Sequence, residues 1–226
     1  MRWKQFYASL LKKHVIPECF YRGSMDSRLR RAGMTFLFGA VLFCFTSLLL
    51  AKTDLPVYGH VPDFSFTEKS GKPFGLADLK GRVWIADFIF TRCQGMCPLL
   101  TGRMSILQTK LDHPDIKLVS FSVDPEYDTP GVLSDYALRY QAQKEKWFFL
   151  TGNKTTLWNF VTEGFSLGVA QASPEDLAQG AEPVMHTSRF VLIDPNGDIR
   201  GYYDTSDPAN VEQLIQDALK LVPSSQ

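Results

Sequence analysis

The sequence predicts an α/β sandwich with a mixed central sheet, preceded by one transmembrane helix, on three observations. Apolar strand-like runs alternate with helically spaced segments from Val61 onward. The chain then closes on a hairpin and an amphipathic helix, so parallel and antiparallel strands share one sheet. Ahead of all this, Ala32 to Ala51 is an uncharged run of 20 residues, long enough at helical rise to match the ~30 Å hydrocarbon core of a bilayer. A chain of 226 residues has room for one well-buried domain and a leading stretch before it.

The leading stretch divides at the apolar run. Residues 1–31 carry eight basic side chains against Glu18 and Asp26, a net of +6, while the remainder holds 16 basic and 22 acidic residues, a net of −6. By the positive-inside rule the basic tail stays in the cytoplasm or its equivalent, residues 32–51 are the anchor, and everything after Ala51 is exported. A cleaved signal peptide has an apolar stretch of about 7–15 residues and does not follow so long a tail, so the anchor is read as retained. The two acidic residues of the tail are unlike an acid-poor transit peptide. They favour a bacterial inner membrane with the C-terminal domain in the periplasm over the mitochondrial inner membrane facing the intermembrane space. An acidic exported part with no basic stripe excludes a nucleic-acid binder.

Residues 52–60 read as a linker, and residues 61–226 as the exported domain. Val61 to Phe66 with Ser70-Gly71-Lys72-Pro73 is a strand and turn, and Val83 to Phe90 is nearly all apolar, as suits a strand covered on both faces, with Asp87 the exception. Pro98 to Leu111 has helical spacing through Leu99, Met104, Leu107 and Leu111. Ile116 to Val123 is a second apolar strand, and Thr129-Pro130 opens a helix with Thr129 as N-cap. Trp147 to Leu150 is a strand and Lys154 to Thr162 a helix. Phe190 to Ile193 and Ile199 to Tyr203 flank the hairpin turn Asp194-Pro195-Asn196-Gly197-Asp198, and Asp207 to Leu221 is the last helix.

The chemistry concentrates where the Val83–Phe90 strand gives way to a helix. Cys93 and Cys97 are four residues apart, with Pro98 suited to the first helical position, Cys97 to the N-cap and Cys93 to the loop before it. There the helix dipole would ease formation of the Cys97 thiolate. Cys19 lies in the tail and Cys44 in the membrane, so the exported pair acts alone. A disulfide closing so short a loop constrains the unfolded chain little, which makes a purely structural staple a poor use of it.

This order of elements, with a cysteine pair at a helix N-terminus, is that of a thioredoxin-like fold. Thioredoxins have two residues between the cysteines and this chain has three. Where those proteins typically carry a proline before the hairpin strand, this chain has Ser188, with His186 two residues earlier.

From about Val61 onward the chain resembles the SCO/SenC family of copper-binding, thioredoxin-fold proteins that assist assembly of cytochrome oxidase. The resemblance is carried by Asp87-Phe88-Ile89-Phe90-Thr91 leading into Cys93 and Cys97-Pro98, and by Ser122-Val123-Asp124-Pro125-Glu126 with Asp128-Thr129-Pro130. Leu150-Thr151-Gly152, and His186 ahead of Leu192-Ile193-Asp194-Pro195, complete it. It implies a membrane-anchored copper chaperone with Cys93, Cys97 and His186 as ligands, passing copper to a respiratory oxidase subunit. Two thiolates and an imidazole form a soft set suited to Cu(I), with Cu(II) held by the same set and a weak further ligand; structural zinc takes four ligands and magnesium or calcium takes oxygen.

The alternative is a thiol-disulfide oxidoreductase in which Cys97 and Cys93 are the redox pair, recharged by thiol reductants, that reduces target cysteines before copper loading. A peroxiredoxin-like peroxidase is more remote. The chain departs from the family in having Met185 where many members place an acidic residue before the histidine, and Gln94-Gly95-Met96 where a proline-containing loop is common. Met185 and Met96 read as packing residues. Asp124, Glu126 and Asp128 read as turn and helix capping rather than a partner-facing surface.

Overall fold

The computed structural model describes residues 55–178, 184–185 and 187–223. The basic tail, the proposed anchor Ala32 to Ala51 and His186 lie outside the described residues. Among those described, no helix is long and apolar enough to cross a membrane.

Eight strands form one mixed sheet: β1 (Gly59–His60), β2 (Ser65–Glu68), β3 (Pro73–Gly75), β4 (Val83–Ile89), β5 (Ile116–Ser122), β6 (Trp147–Thr151), β9 (Arg189–Ile193) and β10 (Asp198–Asp204), in the order β1-β10-β9-β4-β5-β6-β2-β3. The parallel pairs are β4 with β5 and β5 with β6; the outer pairings are antiparallel. Helices α1 (Cys97–Lys110) and α2 (Pro130–Arg139) follow β4 and β5, and α3 (Lys154–Asn159) follows β6 and continues as a π turn through Gly164. Next come a two-stranded hairpin, β7 (Ala170–Gln171) and β8 (Val184–Met185), and the short α4 (Pro174–Ala178) between its strands. The final helix is α5 (Pro208–Leu221).

The apolar runs behave as the sequence predicts. Every residue of β4 and of β5 is buried, because helices and loops cover both faces of the central strands. Phe121 stacks on Phe88 at 5.7 Å, and Phe64, Phe66, Phe160 and Phe165 surround it with ring centroids 5.3–6.2 Å away. Such aromatic pairs contribute beyond the area they bury. Thr129 caps α2 by accepting from the Val132 amide, and Asp207 caps α5 by accepting from the Ala209 amide. Gly197, at φ +90°, closes the β9–β10 turn where a side chain would press on the His60 ring.

Several elements differ from the sequence reading. Leu100, not Leu99, joins Met104, Leu107 and Leu111 in the core, and Leu99 is exposed. The helix begins at Cys97 with Met96 at the N-cap, one residue earlier than the proline implies. The end of the linker pairs with the sheet as β1, and Arg200 holds the chain before it through Pro56 O and Leu55 O while its Nη1 meets Asp194 at 2.7 Å. The β7–β8 hairpin and α4 are too short to register as periodic patterns.

Candidate metal centre

The two cysteines share one turn at the C-terminal end of β4. After Ile89 the chain folds back, the Cys93 amide donating to Phe90 O at 3.3 Å, and enters α1. A helix N-terminus leaves amides without intrahelical acceptors, and Met96 offers no capping side chain. The Cys97 amide instead donates to Cys93 Sγ at 3.4 Å, so the first sulfur takes the place of a capping oxygen. Thr101 Oγ1 donates back to Cys97 O at 2.8 Å and is itself 2.8 Å from the Tyr136 hydroxyl, which fixes the first turn against α2.

Both cysteines are thiols and both are shielded, Cys93 at 8% exposure and Cys97 at 0%. The expectation that the helix N-terminus eases ionisation of Cys97 is overturned. Burial pushes its thiol well above the ordinary range, the Phe90 backbone works against the rise, and Cys93 and the Asp87 charge add to it. Desolvation exceeds the dipole here because the thiolate has no water to rely on. Cys97 is a protonated thiol until something with a greater claim on sulfur displaces the proton.

A second loop holds the first. The β5 end runs beside the β4 end, Val123 N donating to Ile89 O at 2.8 Å, and the turn that follows contacts the cysteine loop. Asp128, fully buried, accepts from the Thr91 amide at 3.1 Å, the Thr91 hydroxyl at 2.5 Å and the Ser122 hydroxyl at 2.6 Å. Asp124, also buried, accepts from Arg92 Nε at 2.7 Å, and the Arg92 guanidinium lies 4.9 Å from the centre of the Tyr127 ring. Turn and capping chemistry is therefore only part of the role of Asp124 and Asp128; both anchor the residues that lead into Cys93. Glu126 points the other way, to Lys154 Nζ at 2.8 Å.

Asp87 is the anomaly. It is fully buried on β4, neither carboxylate oxygen has a hydrogen-bond partner, and burial raises its pKa to about 7. Ser120, its neighbour across β5, opposes that rise only in part; its hydroxyl accepts from Trp147 Nε1 at 2.8 Å.

The structure thus brings Cys93 and Cys97 together. His186 lies outside the described residues, directly after β8, whose Val184 and Met185 pair with Gln171 and Ala170. Among the described residues no three His, Cys, Asp or Glu side chains are grouped to hold a metal. What sequence reasoning missed is the supporting set of Thr91, Arg92, Ser122 and Tyr127. Its signal was present in the polar residues flanking each apolar strand end, but which loop meets which follows from strand order alone.

The family model described as SCO1/SenC matches residues 55–222. The SCO1 protein homolog of Bacillus subtilis is 36% identical over 165 residues, 72% of this chain and 82% of that protein. A Stutzerimonas stutzeri protein whose name describes it as copper-binding is 30% identical over 151 residues, 66% of this chain and 71% of its own length. Among solved structures, a SCO1/SenC family lipoprotein from Bacillus anthracis aligns with a TM-score of 0.66 at 36% identity, over 74% of this chain and 98% of that one. BsSco, described as a member of the Sco family of cytochrome c oxidase assembly proteins with a disulfide switch, aligns at 0.63 and 33% identity, over 75% and 98%. The mixed sheet, the thiol pair in one turn and this match along the described domain place the chain in the SCO1/SenC family.

Proposed function

We propose that this protein is a membrane-anchored copper chaperone for a respiratory oxidase, with Cys93, Cys97 and His186 as ligands and the anchor in residues 32–51. The observation that carries the reading is the pair of shielded thiols in one turn, the amide of one on the sulfur of the other. Two sulfurs in an apolar setting fit a soft monovalent ion and leave hard oxygen-seeking cations without ligands. Copper must displace the thiol protons, and burial of Cys97 favours the protonated form of that thiol until it does. The copper-binding name of one relative and the oxidase-assembly description of another support the assignment.

Copper stoichiometry tests it. Reduced protein should take up one copper per chain; Cys93→Ser or Cys97→Ser should abolish tight Cu(I) binding, and His186→Ala should keep weaker two-thiolate Cu(I) and lose the Cu(II) form. Protein oxidised to the Cys93–Cys97 disulfide should take up none until reduced, since the two sulfurs cannot be ligands and a disulfide at once. Undiminished Cu(I) binding by either serine variant would overturn the ligand assignment.

The second reading, a thiol-disulfide oxidoreductase, is favoured by the same adjacency of Cys93 and Cys97. Burial of Cys97 disfavours that thiol as the attacking group, because the thiolate is the attacking form.

A further inference from the structure

Met96 lies between the two thiols in the chain and is not the packing residue that the sequence suggests. Its side chain is 42% exposed, while Cys93 and Cys97 are buried. It also occupies the N-cap of α1, where serine, threonine, aspartate or asparagine would accept a free amide and methionine offers no cap. An exposed apolar side chain and an empty cap at one position set local rules aside, as is expected where a residue serves function. The backbone brings this residue to the sulfurs. The Cys97 amide nitrogen is 3.4 Å from Cys93 Sγ and is bonded to the carbonyl carbon of Met96, so Met96 Cα lies within about 6 Å of that sulfur. An unbranched side chain with three rotatable bonds spans such a distance. Of the residues between the two cysteines, Met96 alone carries sulfur.

We propose that Met96 is a transit ligand, a surface thioether through which Cu(I) enters and leaves the Cys93–Cys97 pair. The proposal rests on the preceding reading, in which the two thiols hold the copper. With those thiols at 8% and 0% exposure, an incoming copper complex meets more of Met96 than of either. A thioether is soft, selects Cu(I) and carries no proton to displace. Met96 Sδ forms its bond to Cu(I) as a ligand of the donor departs, and gives it up as the two cysteine sulfurs bind and their protons pass to solvent. The copper stays Cu(I) and no electron moves. A ligand used only in passing lowers the barrier equally in both directions and leaves the equilibrium where it was.

The test uses the full-length protein, reduced and metal-free, as wild type, Met96→Leu and Met96→Ala, with Cu(I) presented as its bicinchoninate complex and uptake followed by stopped-flow. Leucine keeps the apolar bulk and removes the sulfur; alanine removes both. Both variants should take up Cu(I) about tenfold more slowly than wild type and return it to excess chelator more slowly by the same factor, with a dissociation constant within about twofold of wild type. Cu(II) uptake should keep its wild-type rate, since a thioether selects the cuprous ion. Wild-type uptake by Met96→Leu overturns the proposal. Slow uptake confined to Met96→Ala also overturns it and leaves apolar contact as the role. A dissociation constant weakened in step with the rate makes Met96 a resident ligand and overturns the transit role, and equal slowing of Cu(II) overturns it in favour of a disturbed loop. Cys93→Ser, read in parallel, keeps the two readings apart. Tight Cu(I) binding in that variant brings down the thiol pair and the proposal with it, while its loss beside fast uptake in Met96→Leu overturns the proposal alone.

Discussion

Asp87 and Asp128 are two carboxylates of equal burial in unequal company. Each has no exposed surface, and burial raises the pKa of both. Asp128 sits where two strand ends meet and accepts from a backbone amide and two hydroxyls, which oppose the rise. Asp87 sits in the middle of β4 with both oxygens unpartnered. The difference shows that burial alone does not define a role here. At the loop, hydrogen bonds turn a costly charge into a clamp; in the strand the cost is left standing, close enough to Cys97 for the Asp87 charge to oppose ionisation of that thiol.

Replacing Asp87 breaks the comparison most sharply. Its pKa is near 7 in the fold and 3.8 in the open chain, so the folded state holds a proton that the unfolded state releases between those values. The stability this provides is complete below about pH 4 and is lost as pH rises through about 7. Asp87→Asn should abolish that dependence and raise stability at pH 8 by up to about 4 kcal/mol, less the cost of burying an amide. Urea unfolding of both proteins from pH 4 to 8 measures it. A wild-type profile flat across that range would mean that Asp87 finds a partner the structure does not give it.

Asp128→Ala comes next and runs in the opposite direction. It leaves the Thr91 amide and the Thr91 and Ser122 hydroxyls without their acceptor, at a cost of about 2–3 kcal/mol. The damage should concentrate in the cysteine loop, read as faster hydrogen exchange at Thr91 to Gly95. Asp128→Asn, which still accepts but without charge, should fall between. If alanine at 128 were neutral, hydrogen bonding would not be what separates the two aspartates.

How much of this was legible in the sequence follows the same division. The apolar runs of β4 and β5 read correctly because both faces are buried and the residues say so directly. The placement of Cys93 and Cys97 in the turn between β4 and α1 was legible because an apolar strand, two thiols and a proline follow one another in that order, although the helix starts at Cys97 itself. Local rules then misled. A helix N-terminus promised an easier Cys97 thiolate, and desolvation, which depends on what packs above the turn, won. Asp128 looked like an ordinary turn residue because its partners are 37 residues away at Thr91 and six away at Ser122. Leu100 rather than Leu99 is in the core because it lies four residues before Met104 and so shares one helix face with Met104, Leu107 and Leu111.

Arg92 sharpens the comparison at its small end. Its Nε meets the buried Asp124 at 2.7 Å and its guanidinium lies over Tyr127, which by contact alone resembles the Asp128 clamp. The arginine side chain, however, is 47% exposed, so water already screens the pair. Removing it also uncovers Asp124, whose charge then gains the hydration that the Asp128 partners could never gain. Arg92→Ala should therefore cost no more than about 1 kcal/mol in urea unfolding. Arg92→Lys should recover part of that, since it keeps the charge but loses the flat stacking on Tyr127. A cost for Arg92→Ala equal to that of Asp128→Ala would mean that contact geometry, and not access to water, ranks the polar groups around these two thiols.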